Sequence, residues 1–276
     1  MTELTNTQKL KLLLERHSLF LSKKMGQIFL IDKSALEKIV AAGNLSKEDI
    51  VIEVGAGIGT LTLELSKNAK RVIAIEKDKN LIPLLKETVG KLKNVEVINE
   101  DILSYKINEV DYKVVANVPY YITSAIIRKF LEEKNPPKLL VLTIQKEVAK
   151  RITAKPPKMN LLAVSVQFFA TPKIISYLSP CSFYPQPKVT SSILSIIPYN
   201  KEYKDLQKNF FLLAKAGFSH PRKQLVTNFH LFNGKGKEKL ILALEKMESI
   251  SIDKKRRAET LSIEEWTILS KKINEV

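Results

Sequence analysis

Apolar positions follow two alternating rhythms between residue 50 and about residue 151. Compact β-branched runs have the signature of buried strands: Val51-Ile52-Glu53-Val54, Arg71-Val72-Ile73-Ala74-Ile75-Glu76, Val95-Glu96-Val97-Ile98-Asn99 and Lys113-Val114-Val115-Ala116-Asn117. Between them lie helix-like patterns, as in Leu61, Leu63 and Leu65. Such alternation predicts an α/β fold built on a doubly wound parallel sheet. Ahead of it, Leu10, Leu13 and Leu14 stand at helical spacing, and Asp32 is placed to cap a helix over Ala35, Leu36, Ile39 and Val40. After Ile152 the pattern changes. Leu161 to Phe169 and Val189 to Ile197 are long apolar runs with a proline-rich connection and no convincing helix between them, which predicts an antiparallel pair closing the sheet. From about Tyr199 the spacing is helical, over Leu206, Phe210, Leu213 and Ala214, then Leu240, Leu244 and Met247, then Ile263 to Leu269 around Trp266. The Pro198-Tyr199-Asn200 break, near Ile197 to Lys201, divides a first domain (1–198, with residues 1–25 as an extension) from a small helical domain (199–276).

The first strand breaks at Gly55-Ala56-Gly57-Ile58-Gly59 and resumes as a helix. A strand feeding a helix through such a turn brings backbone N–H groups and a helix N-terminus up to a ligand. A dinucleotide loop would place its third glycine at position 60, which is Thr60 here. With Glu53 two residues ahead of Gly55, the spacing instead resembles the nucleoside-binding loop of class I methyltransferases, which bind S-adenosylmethionine. A glycine-rich βα turn without a ligand is the bland reading. Glu76 ends the second strand about 20 residues past the first glycine, where a nucleotide-binding βαβ unit presents an acid to ribose hydroxyls. A carboxylate can accept both hydrogen bonds of a vicinal diol. Asp101 and Ile102 follow the third strand; in the methyltransferase pattern that acid accepts from the adenine amine and the apolar residue packs on the ring. A solvated turn would serve for Asp101 alone. Three features in the right order favour the cofactor.

Length and composition bound the partners. At 276 residues and 45% apolar content, the chain makes one large domain or two ordinary ones with an ample core. No segment approaches the roughly 20 apolar residues that span a bilayer, and no secretory signal is visible, so a cytoplasmic location is expected. Cys181 is the only cysteine, and His17, His220 and His230 have no ligand spacing; neither a disulfide nor a metal site is expected. The net charge of +16, from 45 basic and 29 acidic residues, points first to nucleic acid and second to an anionic membrane. The absence of a basic amphipathic helix with bulky anchors disfavours the membrane. Between Arg128 and Lys173 the basic residues Arg128, Lys129, Lys134, Lys138, Lys146, Lys150, Arg151, Lys155, Lys158 and Lys173 face only Glu132, Glu133 and Glu147. A solvated face accounts for any one lysine and poorly for the excess. Nothing calls for more than a monomer.

Asn117-Val118-Pro119-Tyr120 leaves the fourth strand at its carboxyl end, on the rim where open α/β sheets bind ligands. An exocyclic purine amine is a poor nucleophile because its lone pair is delocalised into the ring. The Asn117 side-chain oxygen and the Pro119 carbonyl suit its two N–H groups and would stabilise the positive charge that develops on attack. Tyr120 suits stacking on the base. No strong general base is required, since the cationic product loses its proton readily. A structural Asn-x-Pro turn with a core tyrosine is the alternative.

Here the sequence resembles the small-subunit rRNA adenine dimethyltransferases (KsgA type), over nearly the whole chain. The resemblance rests on the glycine loop and on Asn117 to Ser124, Gln145 to Arg151, Phe183-Tyr184-Pro185-Gln186-Pro187-Lys188-Val189, Arg222 to Leu225 and Arg257 to Ser262. It implies a Rossmann-like methyltransferase domain with a helical C-terminal domain. It implies S-adenosylmethionine as cofactor and dimethylation of two adjacent adenines near the 3′ end of small-subunit rRNA, in an assembling subunit. By motif, Gln27, Ile28, Leu30, Gly55, Gly57, Glu76, Asp101, Ile102 and Asn117 would line the cofactor. Asn117, Pro119 and Tyr120 would hold the target amine, and Phe183 would stack on the other face of a flipped or single-stranded base. The family usually has a polar residue at Ile28, so only backbone can serve there; Asn160-Leu161-Leu162 replaces the usual Tyr-Gly after Lys158. The related large-subunit resistance methyltransferases and a non-catalytic RNA-binding relative are the competing readings. The basic clusters near Lys237 and over Lys254-Lys255-Arg256-Arg257 suit rRNA contact or plain solvation.

Overall fold

Side-chain oxygens at the chain's polar breaks start its first helices. In the computed structural model, which describes residues 4–19, 21, 26–199 and 204–274, Asn6 accepts from the N–H groups of Gln8 and Lys9 at the head of α1 (Thr7–Arg16). After the short strand β1 (Phe29–Leu30), Asp32 does the same for α2 (Lys33–Ala42), accepting from Ser34 and Ala35. The Ser182 hydroxyl also donates to Asp32, 2.7 Å away, and holds its carboxyl below the usual carboxylate range.

The alternating region then runs β2 (Ile50–Val54), α3 (Thr60–Asn68), β3 (Arg71–Glu76), α4 (Ile82–Val89), β4 (Val95–Asn99), β5 (Tyr112–Asn117), α5 (Thr123–Glu132), β6 (Leu139–Gln145). It continues with α6 (Lys146–Ile152), α7 (Leu161–Gln167), β7 (Ala170–Leu178), β8 (Phe183–Tyr184) and β9 (Ser191–Pro198). Seven strands form one sheet in the order β4-β3-β2-β5-β6-β9-β7. β2 pairs in parallel with β3 and β5, β3 with β4, and β5 with β6, whereas β9 is antiparallel to β6 with Ser191 opposite Gln145. Helices cover both faces of a parallel sheet, so its strands bury residues without alternation: Val51, Ile52, Val114, Val115, Val141 and Leu142 are fully buried. Each such side chain is worth roughly 1.5–3 kcal/mol removed from water. From β2 the chain builds β3 and β4 to one side, then returns for β5 and β6 on the other. That reversal leaves a crevice at the carboxyl ends of β2 and β5.

The expected strand over Leu161 to Phe169 is instead the helix α7. Asn160 caps it, accepting from the Ala163 N–H at 3.1 Å, while its amide donates to the Arg151 carbonyl. An apolar run alone does not distinguish strand from helix, and here the cap decides. The strand beside β9 is β7, which begins one residue after the predicted run ends.

The chain forms two compact units, residues 1–149 with 172–198, and residues 150–171 with 199–276. The second contains α8 (Lys204–Gly217), α9 (Leu225–Leu231), α10 (Lys237–Met247) and α11 (Ile263–Lys272). Residues 150–171 therefore go with the helical unit, contrary to the division at 198 alone, because Met159, Ala163, Val164 and Phe168 are part of its core. The Phe168 ring stacks on Phe210 with centroids 4.0 Å apart. Asn200 and Lys201 of the predicted break lie outside the described residues.

Candidate functional site

The crevice at the switch point is a cleft of about 1010 Å³ including its open mouth. Its floor is the turn after β2, with Gly57 at φ +58°. A Cβ on Gly57 would lie 3.1 Å from a ring carbon of Phe29, so the turn closes only around glycine. The Gly57 N–H donates to Glu76 Oε2 at 2.8 Å. At Gly59 (φ +86°) a Cβ would meet Leu85 and Val89 at 3.0 Å, where α4 packs against the head of α3.

Glu76 ends β3 and is buried. Its Oε1 accepts from the Asp78 N–H at 2.7 Å, so each carboxylate oxygen is fixed by one backbone donor and keeps a lone pair for the cleft. Burial pushes its carboxyl pKa up, against backbone hydrogen bonds from Asp78, Gly57 and Lys77. Asp101 follows β4. Its Oδ2 is paired with Lys77 Nζ at 2.8 Å and its Oδ1 accepts from the Leu103 N–H, and the Lys77 contact chiefly holds its pKa below the carboxylate range. Gln27 donates to Asp78 at 2.6 Å, tying the segment before β1 to the loop after β3.

Asn117 ends β5, next to β2 across the switch point. Its Nδ2 donates to the Ile28 carbonyl at 3.0 Å, which turns its Oδ1 away as a remaining acceptor. The Ile28 carbonyl thus orients Asn117. The Tyr120 hydroxyl shares a 2.6 Å hydrogen bond with Ser191 Oγ, fixing its half-buried ring.

Gln27, Ile28, Leu30, Gly55, Gly57, Glu76, Asp101, Ile102, Asn117, Pro119 and Tyr120 all line this one cleft. Phe183 does not. It is 2% exposed, paired with Leu30 across β1 and β8, and packed among Leu36, Ile39, Leu178 and Ile193. Its ring fills the core and reaches no base unless it leaves that packing. Arg256 is likewise committed, to Glu265 and the Thr260 carbonyl.

Sequence reasoning gave Glu53 no task beyond its spacing. Glu53 is 2% exposed, lines the cleft, and its Oε2 has no hydrogen-bond partner among the described residues. Burial, opposed by the Thr62 hydroxyl and reinforced by the negative charge of Glu76, pushes its pKa to about 8. A buried carboxyl with an orphaned oxygen is a receptor for a cationic or hydrogen-bond-donating ligand group. Lys77 was also missed, because nothing local links it to Asp101.

A mixed seven-stranded sheet of this order, with a cleft at its switch point, is that of a class I methyltransferase. The chain belongs to the ribosomal RNA adenine dimethylase family, whose model matches residues 20–274. It is 42% identical over 282 residues to ribosomal RNA small subunit methyltransferase A of Alkaliphilus oremlandii, covering 98% of both proteins. It is 45% identical over 263 residues to the protein of that name from Dehalococcoides mccartyi strain CBDB1, covering 93% of this chain and 89% of the other. Among solved structures, a dimethyladenosine transferase from Plasmodium falciparum aligns with a TM-score of 0.76 at 27% identity, over 87% of this chain and 95% of that one. The 23S rRNA methyltransferase ErmE shares the fold, with a TM-score of 0.71 at 22% identity over 89% of this chain and 99% of that one.

Proposed function

We propose that the protein dimethylates the N6 amines of two adjacent adenines near the 3′ end of small-subunit rRNA, using S-adenosylmethionine, in an assembling subunit. Asn117 carries the reading: its amide nitrogen donates to the Ile28 carbonyl, and among the described residues its oxygen accepts no hydrogen bond, on the rim it shares with Glu76 and Asp101.

The cleft fits the cofactor. The orphaned, buried Glu53 oxygen suits an ammonium group, Glu76 a ribose diol, Asp101 an adenine amine, and Ile102 the flat face of the base. Gln27, Ile28, Leu30, Gly55 and Gly57 form the surrounding wall. When bound, the cofactor supplies a methyl group activated on a sulfonium centre. Asn117 Oδ1 and the Pro119 carbonyl accept the two N–H bonds of the target amine, holding its lone pair out of the ring's conjugation and stabilising the ammonium as it forms. The Pro119 carbonyl already accepts from the Ile122 N–H at 3.2 Å, which leaves one lone pair for the amine. Tyr120 stacks on the base, its hydroxyl held by Ser191. The excess proton passes to water.

The basic composition supports an RNA substrate, and the described residues contain no helix long and apolar enough to cross a membrane. A monomer working in the cytoplasm on a pre-small-subunit particle completes the reading. The test is transfer of radiolabelled methyl groups to isolated subunits. Label on small subunits and none on large ones is expected. Label on large subunits would select the resistance-type reaction, and label on neither a binding protein.

A further inference from the structure

β7 is an edge strand, next to β9 at the end of the sheet. Its solvent-facing row includes Lys173, Ile175 and Tyr177, the last two 44% and 47% exposed. An apolar row on an open sheet edge invites unwanted pairing, and natural proteins blunt or cover it. Here the row stands beside cations. Lys146 Nζ lies 5.0 Å from the centre of the Tyr177 ring. Among the described residues Lys146 makes no ion pair, so its charge is free for an outside partner.

A short path joins this patch to the cleft. Tyr120 is bonded to Ser191, and Ser191 is the register partner of Gln145. The next residue is Lys146, whose N–H donates to the Thr190 carbonyl at 2.9 Å and whose ammonium covers Tyr177. β7 lies three strands from β5, on the order of 14 Å along the rim at a strand spacing of about 4.8 Å. An exposed ring with an ammonium beside it is what a single-stranded nucleic acid uses: a base stacks on the ring and the ammonium meets a phosphate. A hydrophobic protein partner would use Tyr177 and Ile175 and gain nothing from Lys146.

We propose that Tyr177, with Lys146 beside it, is a stacking site for an unpaired base that flanks the adenines presented at Tyr120. The assignment rests on the rRNA reading of the cleft and adds to it a contact outside the cleft.

The test compares Tyr177→Ala, Tyr177→Phe and Lys146→Met in the full chain. One assay is fluorescence anisotropy of a short single-stranded oligoribonucleotide containing two adjacent adenines; the other is methyl transfer to isolated small subunits. Tyr177→Ala weakens oligonucleotide binding about tenfold and raises KM for the subunit by a similar factor, with kcat unchanged. Tyr177→Phe stays within about twofold, because the ring does the stacking. Lys146→Met lowers the slope of log affinity against log salt by about 1. Unchanged cofactor affinity by calorimetry shows that the variants are folded. Undiminished oligonucleotide binding in Tyr177→Ala overturns the proposal, even where subunit methylation falls, since the patch would then serve a protein of the particle. Equal losses in the Ala and Phe variants also overturn it. If the wild type binds the oligonucleotide through Tyr177 yet methylates no small subunit, the rRNA reading fails and the stacking site stands.

Discussion

Replacing Asn117 by alanine lowers kcat for methyl transfer about 10²–10³-fold, the usual loss when one preorganised polar group is removed from a developing charge. The substitution deletes the oxygen that would accept the target amine, together with the donor that fixes it on the Ile28 carbonyl. The truncated site at position 117 then leaves the amine conjugated with its ring, and the forming ammonium meets only the Pro119 carbonyl. Cofactor affinity falls much less, because Glu53, Glu76 and Asp101 stay in place. Single-turnover methylation of isolated small subunits, with calorimetry for the cofactor, separates the two effects. A kcat within a few-fold of wild type would remove Asn117 from the chemistry.

The ligand-free protein loses stability as pH rises from about 4.5 to about 8, with Glu53 the larger cause and the buried Glu76 adding in the same direction. Its folded pKa stands at about 8, against an ordinary value of 4.5. Below that window both states hold the proton, and folding is not penalised. Within it the unfolded chain ionises while the buried carboxyl does not, so each rise in pH favours unfolding. Above it the penalty is complete, on the order of a few kcal/mol. Glu53→Gln keeps the shape without the charge. Its unfolding free energy, measured in urea across this range, should fall less steeply than that of wild type, the raised Glu76 carboxyl remaining, and exceed wild type at pH 8. The same variant should bind cofactor more weakly, since the receptor for a cationic group is gone. A wild-type stability that is level or rises over the window would contradict the assignment.

The parallel half of the sheet was legible because its strands are continuous apolar runs and the turn after β2 is marked by three glycines at positive φ. The same local grammar placed Glu76, Asp101 and Asn117 at strand ends, hence on one rim. It failed where long-range pairing decides. Leu161 to Phe169 is apolar enough for a strand, and only the cap at Asn160 makes it a helix. α9 is seven residues long, too short for periodicity to stand out. Phe183 sits on a two-residue strand, and which of Phe183 and Tyr184 turns inward is set by pairing with Phe29 and Leu30, more than 150 residues earlier. The Lys77–Asp101 pair and the Tyr120–Ser191 bond likewise join segments with no shared local signal.

One geometric proposition underlies both variants: the nucleoside carboxylates and the strand-end amide serve a single cleft. A crystal structure with S-adenosylhomocysteine and an adenine-containing oligoribonucleotide measures it directly. The expected result is a nucleoside held by Glu76 and Asp101, with an adenine N6 within hydrogen-bond distance of Asn117 Oδ1 and the Pro119 carbonyl. A nucleoside bound elsewhere, or an adenine seated away from Asn117, would contradict it.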